Sequence, residues 1–464
     1  MQLDHATSLS SPRADSRHSL VRALSGRPAP RYTSYPTALQ FSDAVDSEAY
    51  RDWLAEIGPE PVSIYVHVPF CRRLCWYCGC TTQVTGRTQP VTAYAETLVR
   101  ELDLVAQAIG RPLAAGALHL GGGSPDALAV EDLESIVRGV SARFRLTEDA
   151  EFAAEIDPAN VSAAWITAAG RLGLNRASLG VQTFAPHVQA AIKRPQSFET
   201  VERVVKRLRE AGVGSINFDL MYGLPRQTLA DVVDTVDDAL RLTPDRLAVF
   251  GYAHVPWAKP HQRLIATDEL PGPDERLEQA EAAAERLVGA GYVRIGLDHF
   301  ARPDDPLAQA FAQGRLRRNF QGYTADQATT LIGLGPSAIG RLPGGYVQND
   351  ASTRVWSEAI VAGRLATARG LVLSAGDELR ADLIERLMCY GEVDLGRICR
   401  RWGVKTDTLT AERRALEQFR GLGLVQLDGD IVRVTQAGQP LVRTVCTAFD
   451  RHFDAGLRRH ASAI

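Results

Sequence analysis

Residues 67–80 read HVPFCRRLCWYCGC and place four of the seven cysteines of this 464-residue chain within ten positions. The cysteines are spaced as Cys71-x3-Cys75-x2-Cys78-x-Cys80. Structural zinc sites usually need two separated pairs of cysteine or histidine, and the sequence has one cluster. Soft thiolates in one tight loop suit an iron–sulfur cluster better. A zinc site and a buried cysteine-rich turn stay open as alternatives.

Around this loop, short apolar runs that end in polar or glycine residues alternate with helical patterns. Apolar spacing of three and four predicts helices at 92–110, 201–212 and 228–242. Six alternating strands predict a parallel sheet buried on both faces, with ligands outside the carboxyl ends of the strands. We therefore expect an α/β fold, a partial barrel of six β/α units. The strands are predicted at 63–68, 117–123, 151–157, 176–182, 215–223 and 246–254.

The chain divides into five predicted segments. Residues 1–28 are predicted to be disordered, and 29–60 form an N-terminal extension that covers the substrate or active site. The partial barrel spans 61–270, and 271–375 complete the barrel and connect it onward. Helical and hairpin patterns over 376–464 predict a mostly helical, winged-helix-like C-terminal domain.

The charge, apolar content and cysteine pattern of the chain argue against several classes of protein. A formal net charge of −3 argues against a nucleic-acid binder driven by bulk charge. The sequence has no apolar run near the ~18 residues of a membrane span, and the first 25 residues lack a secretory signal pattern. The cysteines form no evenly spaced disulfide framework, which fits a reducing compartment. We expect a cytoplasmic monomer with no membrane or nucleic-acid partner.

The x3-x2 spacing resembles the radical S-adenosylmethionine (SAM) superfamily. In that superfamily three cysteines hold a 4Fe–4S cluster, and its fourth iron binds SAM. The resemblance implies that Cys71, Cys75 and Cys78 are the metal ligands and that Tyr77 packs on the SAM adenine. The glycines at 121–123, after a predicted strand, match the segment that contacts the methionine amino group.

Several further motifs resemble the family of oxygen-independent coproporphyrinogen III oxidases, from about residue 30 to the C-terminus. They include PRYTSYPTALQF (30–41), EIDP (155–158), FDLMYGLPRQT (218–228) and GLDHFARPDDPLA (296–308). The resemblance implies that a SAM-derived 5′-deoxyadenosyl radical starts the oxidative decarboxylation of two propionates of coproporphyrinogen III. The product is protoporphyrinogen IX in heme biosynthesis. A flavodoxin or ferredoxin is the implied electron donor.

The resemblance also implies the site residues. Cys80 and His67 are candidates for catalysis, and Cys80 is expected to stand apart from the cluster ligands. Two SAM molecules are implied, held by Tyr65, Tyr77, Gly122, Gly123, Ser124, Glu155, Gln182, Arg194, Asp219, Ala253 and Ile339. Arginines suit a substrate with four carboxylates, and the candidates are Arg31, Arg302 and Arg318.

The sequence departs from the family pattern at two positions that bear on the site. Leu120 stands where tryptophan is usual, and Thr183 replaces an aspartate after Gln182. A heme-binding chaperone and a paralogue with an altered substrate therefore stay open as alternatives. We expect His299 to be a structural hydrogen-bonding residue. Cys389, Cys399 and Cys446 are expected to be core thiols.

Overall fold

The computed structural model describes Leu24 and residues 29–453. The disorder expected for 1–28 therefore lies outside the described residues, apart from Leu24. The strands, in chain order, are β1 Val62–Val68, β2 Phe70–Cys71, β3 Gln83–Val84, β4 Leu113–Gly122, β5 Phe144–Ile156, β6 Arg176–Gln182, β7 Ser215–Tyr222, β8 Arg246–Gly251, β9 Val293–Ile295, β10 His299–Ala301, β11 Arg317–Asn319, β12 Gly322–Thr324, β13 Leu331–Leu334, β14 Ile339–Leu342, β15 Gly345–Asn349, β16 Thr367–Val372, β17 Glu392–Asp394, β18 Val425–Asp428 and β19 Ile431–Val434.

Helices occupy most of the connections between these strands. They are α1 Ser47–Ala55, α2 Gln89–Ile109, α3 Val130–Arg143, α4 Ala163–Arg171, α5 Pro186–Ala191, α6 Phe198–Glu210, α7 Leu229–Arg241, α8 Pro273–Gly289, α9 Pro306–Ala312, α10 Thr353–Val361, α11 Ala375–Tyr390, α12 Leu395–Arg401, α13 Thr410–Gly421 and α14 Val442–Cys446. The longest, α2, has Pro90 in its first turn and ends at Gly110, whose φ of 71° suits a left-handed helix cap.

One twelve-stranded sheet forms the centre of the molecule. Strands β1, β4, β5, β6, β7 and β8 pair in parallel in that order, which confirms the six-stranded parallel core. At one edge, β13 pairs in parallel with β1 and continues as the antiparallel β14, β15 and β16. At the other edge, β10 and β9 add antiparallel to β8. All of these added strands lie within 271–375, the segment expected to complete the barrel, although the individual strands were not predicted.

Alternation along the parallel strands separates apolar from polar side chains. Ile64 and Val66 of β1 and Leu120 of β4 belong to the main hydrophobic core. Because successive strand residues face opposite sides, Tyr65 and His67 of β1 face the interior of the partial barrel. Polar groups therefore gather inside the barrel at its carboxyl edge.

The C-terminal domain has its own core. Helices α11 to α14 surround a three-stranded sheet in the order β17-β19-β18, in agreement with a mostly helical, winged-helix-like unit. Tyr32 and Tyr35 of the N-terminal extension pack into this second core. None of the helices in the described part of the chain has the length and apolar character needed to cross a bilayer.

Candidate functional site

The cysteine loop leaves the carboxyl end of β1 between two short strands. Phe70 and Cys71 of β2 pair with Gln83 and Val84 of β3, so the loop closes on itself. The sulfurs of Cys71, Cys75 and Cys78 each accept at least one hydrogen bond, as thiolates in an iron–sulfur cluster do. The Thr82 hydroxyl donates to Cys71 at 3.1 Å, Nη1 of Arg194 to Cys75 at 3.3 Å, and the N–H of Cys80 to Cys78 at 3.4 Å.

The separation of these thiols distinguishes a site for an iron–sulfur cluster from a site for a single metal ion. None of them forms a disulfide. Across Leu24 and residues 29–453, no three histidine, cysteine or acidic side chains converge closely enough to hold one metal ion. The irons of a 4Fe–4S cluster occupy separate corners, so thiolates on different irons lie farther apart than ligands of one ion. The donor set fits a cluster better than zinc.

Side chains from the segment after β8 hold the cysteine loop in place, and none of them was among the predicted site residues. Each donates to a backbone carbonyl of the loop. Gln262 Nε2 donates to Tyr77 at 2.9 Å, His261 Nε2 to Cys78 at 2.8 Å, and Lys259 Nζ to Cys80 at 3.0 Å. Only the tertiary structure could reveal these contacts, since they join residues about 180 positions apart.

His67 connects β1 to the loop. Its Nε2 lies 2.9 Å from the Thr81 carbonyl, so this nitrogen carries the proton. Its Nδ1 then accepts from the hydroxyl of Tyr65 at 3.1 Å. Burial lowers the pKa of His67 below its ordinary value. The structure thus holds His67 as a neutral ring against Thr81, the residue after Cys80, and gives Cys80 itself an exposed position.

Glu155 lies near the carboxyl end of β5, against the glycine segment. The N–H of Gly122 donates to its Oε2 at 3.0 Å, and His119 Nε2 lies 3.4 Å from its Oε1. The His119 ring also packs on Tyr65 at 5.8 Å. Burial alone raises the pKa of Glu155, but His119 and the Gly122 amide outweigh it and bring the pKa below its ordinary value.

His119 was not among the predicted site residues, although strand alternation gives a signal for it. His119 stands two residues before Gly121, and residues two apart in a strand share a face. It therefore faces the barrel interior with the glycine segment, whereas Leu120 faces the helices.

Arg194 lies inside the same edge and is 7% exposed. Its Nη2 donates to the carbonyl of Gly180 at 2.6 Å and to Oδ1 of Asp157 at 3.1 Å. Together with its contact to Cys75, these bonds fix the guanidinium between β6 and the cysteine loop. Asp157, which lies within the EIDP motif, is thus a partner of this arginine.

Gln182 and Asp219 complete the polar edge on β6 and β7. Gln182 has a φ of 65° at the point where the register of β6 shifts against β7. Asp219 accepts from the Ser178 hydroxyl and from Nδ2 of Asn217, both at 2.9 Å. Burial, reinforced by the nearby charge of Glu155, raises the pKa of Asp219 to about 6.

The other implied residues lie on elements of the same edge. Ser124 follows the glycines and donates to Asp126 at 2.5 Å, and Tyr77 packs beside the small apolar cluster that includes Tyr252. Ala253 follows β8 and lines a cavity. Ile339 begins β14, where its backbone packs on Gly333, which pairs with Tyr65.

The two departures from the family pattern face away from the barrel mouth. Leu120 is fully buried in the main core. Thr183 is also fully buried, and its hydroxyl lies 3.1 Å from that of Thr235 on α7. Both substitutions therefore change packing behind the site.

The remaining candidates separate into buried and surface positions. His299 bonds Asp298 through Nδ1 at 2.8 Å, in agreement with a structural role, although it also lines the cavity beside Ala253. Arg31 and Arg318 line that cavity as well. The C-terminal-half cysteines are buried, as expected, at Cys389, Cys399 and Cys446.

Arg302 does not line the cavity that Arg31 and Arg318 line. Because β10 runs antiparallel to β8, Ala301 pairs with Arg246 at the start of β8, which is the edge opposite the mouth. Arg302 follows there and pairs with Asp304 at 3.5 Å, with 46% of its side chain exposed. Its predicted role in binding substrate is therefore wrong.

Comparison with known proteins gives consistent matches over nearly the whole chain. The model of the Radical SAM superfamily matches residues 65–239, and that of the HemN C-terminal domain matches 373–441. The oxygen-independent coproporphyrinogen III oxidase of Bradyrhizobium diazoefficiens is 50% identical over 436 residues, which cover 94% of this chain and 97% of the relative. The enzyme of the same name from Escherichia coli is 37% identical over 428 residues, covering 91% and 93%.

A solved structure matches equally broadly. Coproporphyrinogen III oxidase (HemN) from Escherichia coli, described as a radical SAM enzyme, superposes with a TM-score of 0.87 at 36% identity. The match covers 91% of this chain and 98% of that one.

Proposed function

This chain belongs to the family of oxygen-independent coproporphyrinogen III oxidases, and from that premise we propose how its own residues carry out the reaction. The protein is a radical SAM oxidoreductase that uses a 4Fe–4S cluster and SAM. It converts two propionates of coproporphyrinogen III into vinyl groups during porphyrin and heme biosynthesis. The identity of 50% over 94% of the chain is the observation that carries this conclusion.

Cys71, Cys75 and Cys78 are the proposed cluster ligands. When bound, the cluster and SAM supply the one-electron chemistry that removes hydrogen from a propionate. The hydrogen bonds from Thr82 and Arg194 support this assignment, because donors to sulfur stabilise negative charge on a cluster. A flavodoxin or ferredoxin is the proposed electron donor, and the monomer is the proposed working form.

SAM is proposed to lie over the carboxyl edge of the parallel strands. Glu155 and Asp219 supply acceptors for its ammonium or ribose hydroxyls, and the glycine segment lets the backbone approach it. Arg194 is proposed to face the SAM carboxylate while it holds Cys75. The implied SAM residues extend over eight neighbouring strands, from β14 to β8, which supports a site wide enough for two SAM molecules.

His67 and Cys80 are the proposed catalytic pair at the loop. The neutral His67 holds the Thr81 carbonyl and so fixes the orientation of the adjacent Cys80. Cys80 is proposed to stand outside the ligand set, where its exposed thiol faces SAM or the substrate. The N-terminal extension from residue 29 to 60 is proposed to cover the substrate, since Arg31 and Thr33 line the cavity next to the mouth.

Serine substitutions test these roles. After anaerobic reconstitution, the wild-type protein should contain about four irons per chain and convert coproporphyrinogen III when supplied with SAM and a reductant. Cys80→Ser, which is nearly isosteric, should keep that iron and bind SAM, yet lose most of the conversion measured by product mass. Cys71→Ser, Cys75→Ser and Cys78→Ser should each lose the cluster.

Two outcomes would contradict these assignments. Loss of iron in Cys80→Ser as complete as in Cys71→Ser would make Cys80 a ligand. Full turnover in Cys80→Ser would show that Cys80 only packs within the loop and takes no part in the reaction.

A further inference from the structure

A cavity of about 280 Å³ opens beside the carboxyl ends of β7 and β8. It adjoins the proposed SAM site, because Ala253, one of the implied SAM residues, lines it. Five arginines line this space, termed here the arginine cavity, against two acids, Glu281 and Asp298. The arginines are Arg31, Arg276, Arg294, Arg318 and Arg443. Positive charge therefore exceeds negative charge in its wall.

These arginines come from distant parts of the chain. Arg31 belongs to the N-terminal extension, Arg318 to β11 and Arg443 to α14 of the C-terminal domain. Arg318 also positions the extension, because its Nε donates to the carbonyl of Tyr32 at 3.2 Å. The cavity is thus assembled only when the barrel, the extension and the C-terminal domain are packed together.

Part of the hydrogen-bonding capacity of these guanidinium groups is unused among the described residues. Nη1 of Arg318, Nε of Arg294 and Nε of Arg276 are buried without a protein partner. Buried donors are normally satisfied, so groups of this kind indicate a missing acceptor. Burial, together with the neighbouring charges of Arg31 and Arg318, lowers the pKa of Arg443 to about 10. An anion in the cavity would relieve that repulsion and supply acceptors.

We propose that the arginine cavity binds propionate carboxylates of the tetrapyrrole and so positions the substrate against SAM. This inference rests on the proposed function. The planar fork of arginine matches a carboxylate with two parallel hydrogen bonds. The cavity is smaller than the ~300–1,000 Å³ of sites that enclose a whole drug-sized ligand, so it takes one carboxylate-bearing edge of the tetrapyrrole. The rest of the tetrapyrrole extends toward Ala253 and the barrel mouth.

Binding of coproporphyrin III tests the proposal. This oxidised, fluorescent tetrapyrrole has four carboxylates and does not undergo the reaction, and its tetramethyl ester lacks the charges. Arg31→Gln and Arg318→Gln should each weaken coproporphyrin III binding by roughly 10- to 100-fold, the effect of one charged hydrogen-bonding group. Both proteins should bind the ester like the wild type, and iron content and SAM affinity should not change.

Arg302→Gln is the matched control, because this arginine is exposed at the opposite edge of the barrel. It should bind coproporphyrin III with wild-type affinity. Arg31 has an exposed side chain, so Arg31→Gln keeps the test meaningful if Arg318→Gln folds poorly.

The outcomes separate this inference from the proposed function. Wild-type coproporphyrin III affinity in Arg31→Gln and in folded Arg318→Gln would overturn the arginine cavity as a carboxylate site, while conversion by the wild type would leave the function intact. A reconstituted wild type that neither binds coproporphyrin III nor converts coproporphyrinogen III would overturn both.

Discussion

At the scale of single residues, neighbours decide what each carboxylate in the barrel mouth can do. Glu155 and Asp219 lie on adjacent parts of the same edge, yet their pKa values shift in opposite directions. His119 and the Gly122 amide hold Glu155 in its charged form. Asp219 is buried with only neutral donors and with Glu155 nearby, so it keeps its proton more readily. The two acids are thereby suited to bind different groups of a cationic ligand.

His119 is expected to position Glu155 for SAM. His119→Phe keeps a ring against Tyr65 and removes the N–H that faces the carboxylate. Without that donor, burial raises the Glu155 pKa, and the variant loses the charged form at a higher pH than the wild type. SAM affinity, measured by anaerobic titration calorimetry, should fall roughly two- to fivefold at pH 6, a modest effect because solvent screens part of the interaction. The loss should be smaller at pH 8, because Glu155 is then charged in both proteins.

His187→Phe is the control for this experiment, since the exposed His187 pairs with Asp231 at 3.3 Å, on another helix pair. Equal pH profiles of SAM affinity for the wild type and His119→Phe would show that His119 does not act through Glu155.

At the scale of elements, three glycines at the end of β4 let other parts of the site approach its backbone closely. A methyl group on Gly121 would meet Oε1 of Glu155 at 2.8 Å, and one on Gly122 would meet the His67 ring at 2.5 Å. A methyl group on Gly123 would meet the carbonyl of Phe70 at 2.5 Å. Each glycine therefore admits a different component of the site.

Gly123→Ala should displace the cysteine loop, because the Phe70 carbonyl is backbone and cannot rotate away. We expect a loss of roughly 1–3 kcal/mol of stability, as for other overpacked sites, and incomplete loading of iron. Thermal unfolding and iron per chain after anaerobic reconstitution measure the two effects. Gly214→Ala, where no atom lies within 4 Å of the added methyl, should change neither. Full iron loading with unchanged stability in Gly123→Ala would disprove this role.

At the scale of the whole molecule, the two ends of the described chain are tied to each other by hydrogen bonds. The Tyr32 hydroxyl donates to Oδ2 of Asp450 at 3.0 Å, and the N–H of Arg451 donates to the Tyr35 hydroxyl at 3.0 Å. Both tyrosines also pack into the core of the C-terminal domain. The extension is thereby held in place by the domain farthest from it in sequence.

Tyr32→Phe should loosen the N-terminal extension without disturbing the barrel. Loss of the hydrogen bond should cost about 1 kcal/mol locally. Amide hydrogen exchange over residues 29–41 should accelerate, and KM for coproporphyrinogen III should rise with little change in kcat. Tyr50→Phe is the control, because the buried Tyr50 hydroxyl has no partner among the described residues. Unchanged exchange in Tyr32→Phe would show that the bond to Asp450 does not hold the extension.

The sequence by itself determined the parallel core, the cysteine triplet and the family. The six strands follow from alternating apolar runs and helices, and β6 at 176–182 has the predicted bounds. Burial of the C-terminal-half cysteines followed from their apolar neighbours. All of these properties are local, because period and spacing report which face of an element is buried.

Only the tertiary structure decided which distant residues meet. Arg194 donates to Cys75 across 119 positions, and Arg318 reaches the carbonyl of Arg31 across 287. Arg302 and Arg318 both lie in segments that resemble the family. Because β10 runs antiparallel to β8, however, Arg302 lies at the far edge of the barrel. Strand order, direction and register fix these contacts, and no spacing along the chain encodes them. The arginine cavity, whose five arginines come from five separate segments, is decided in the same way.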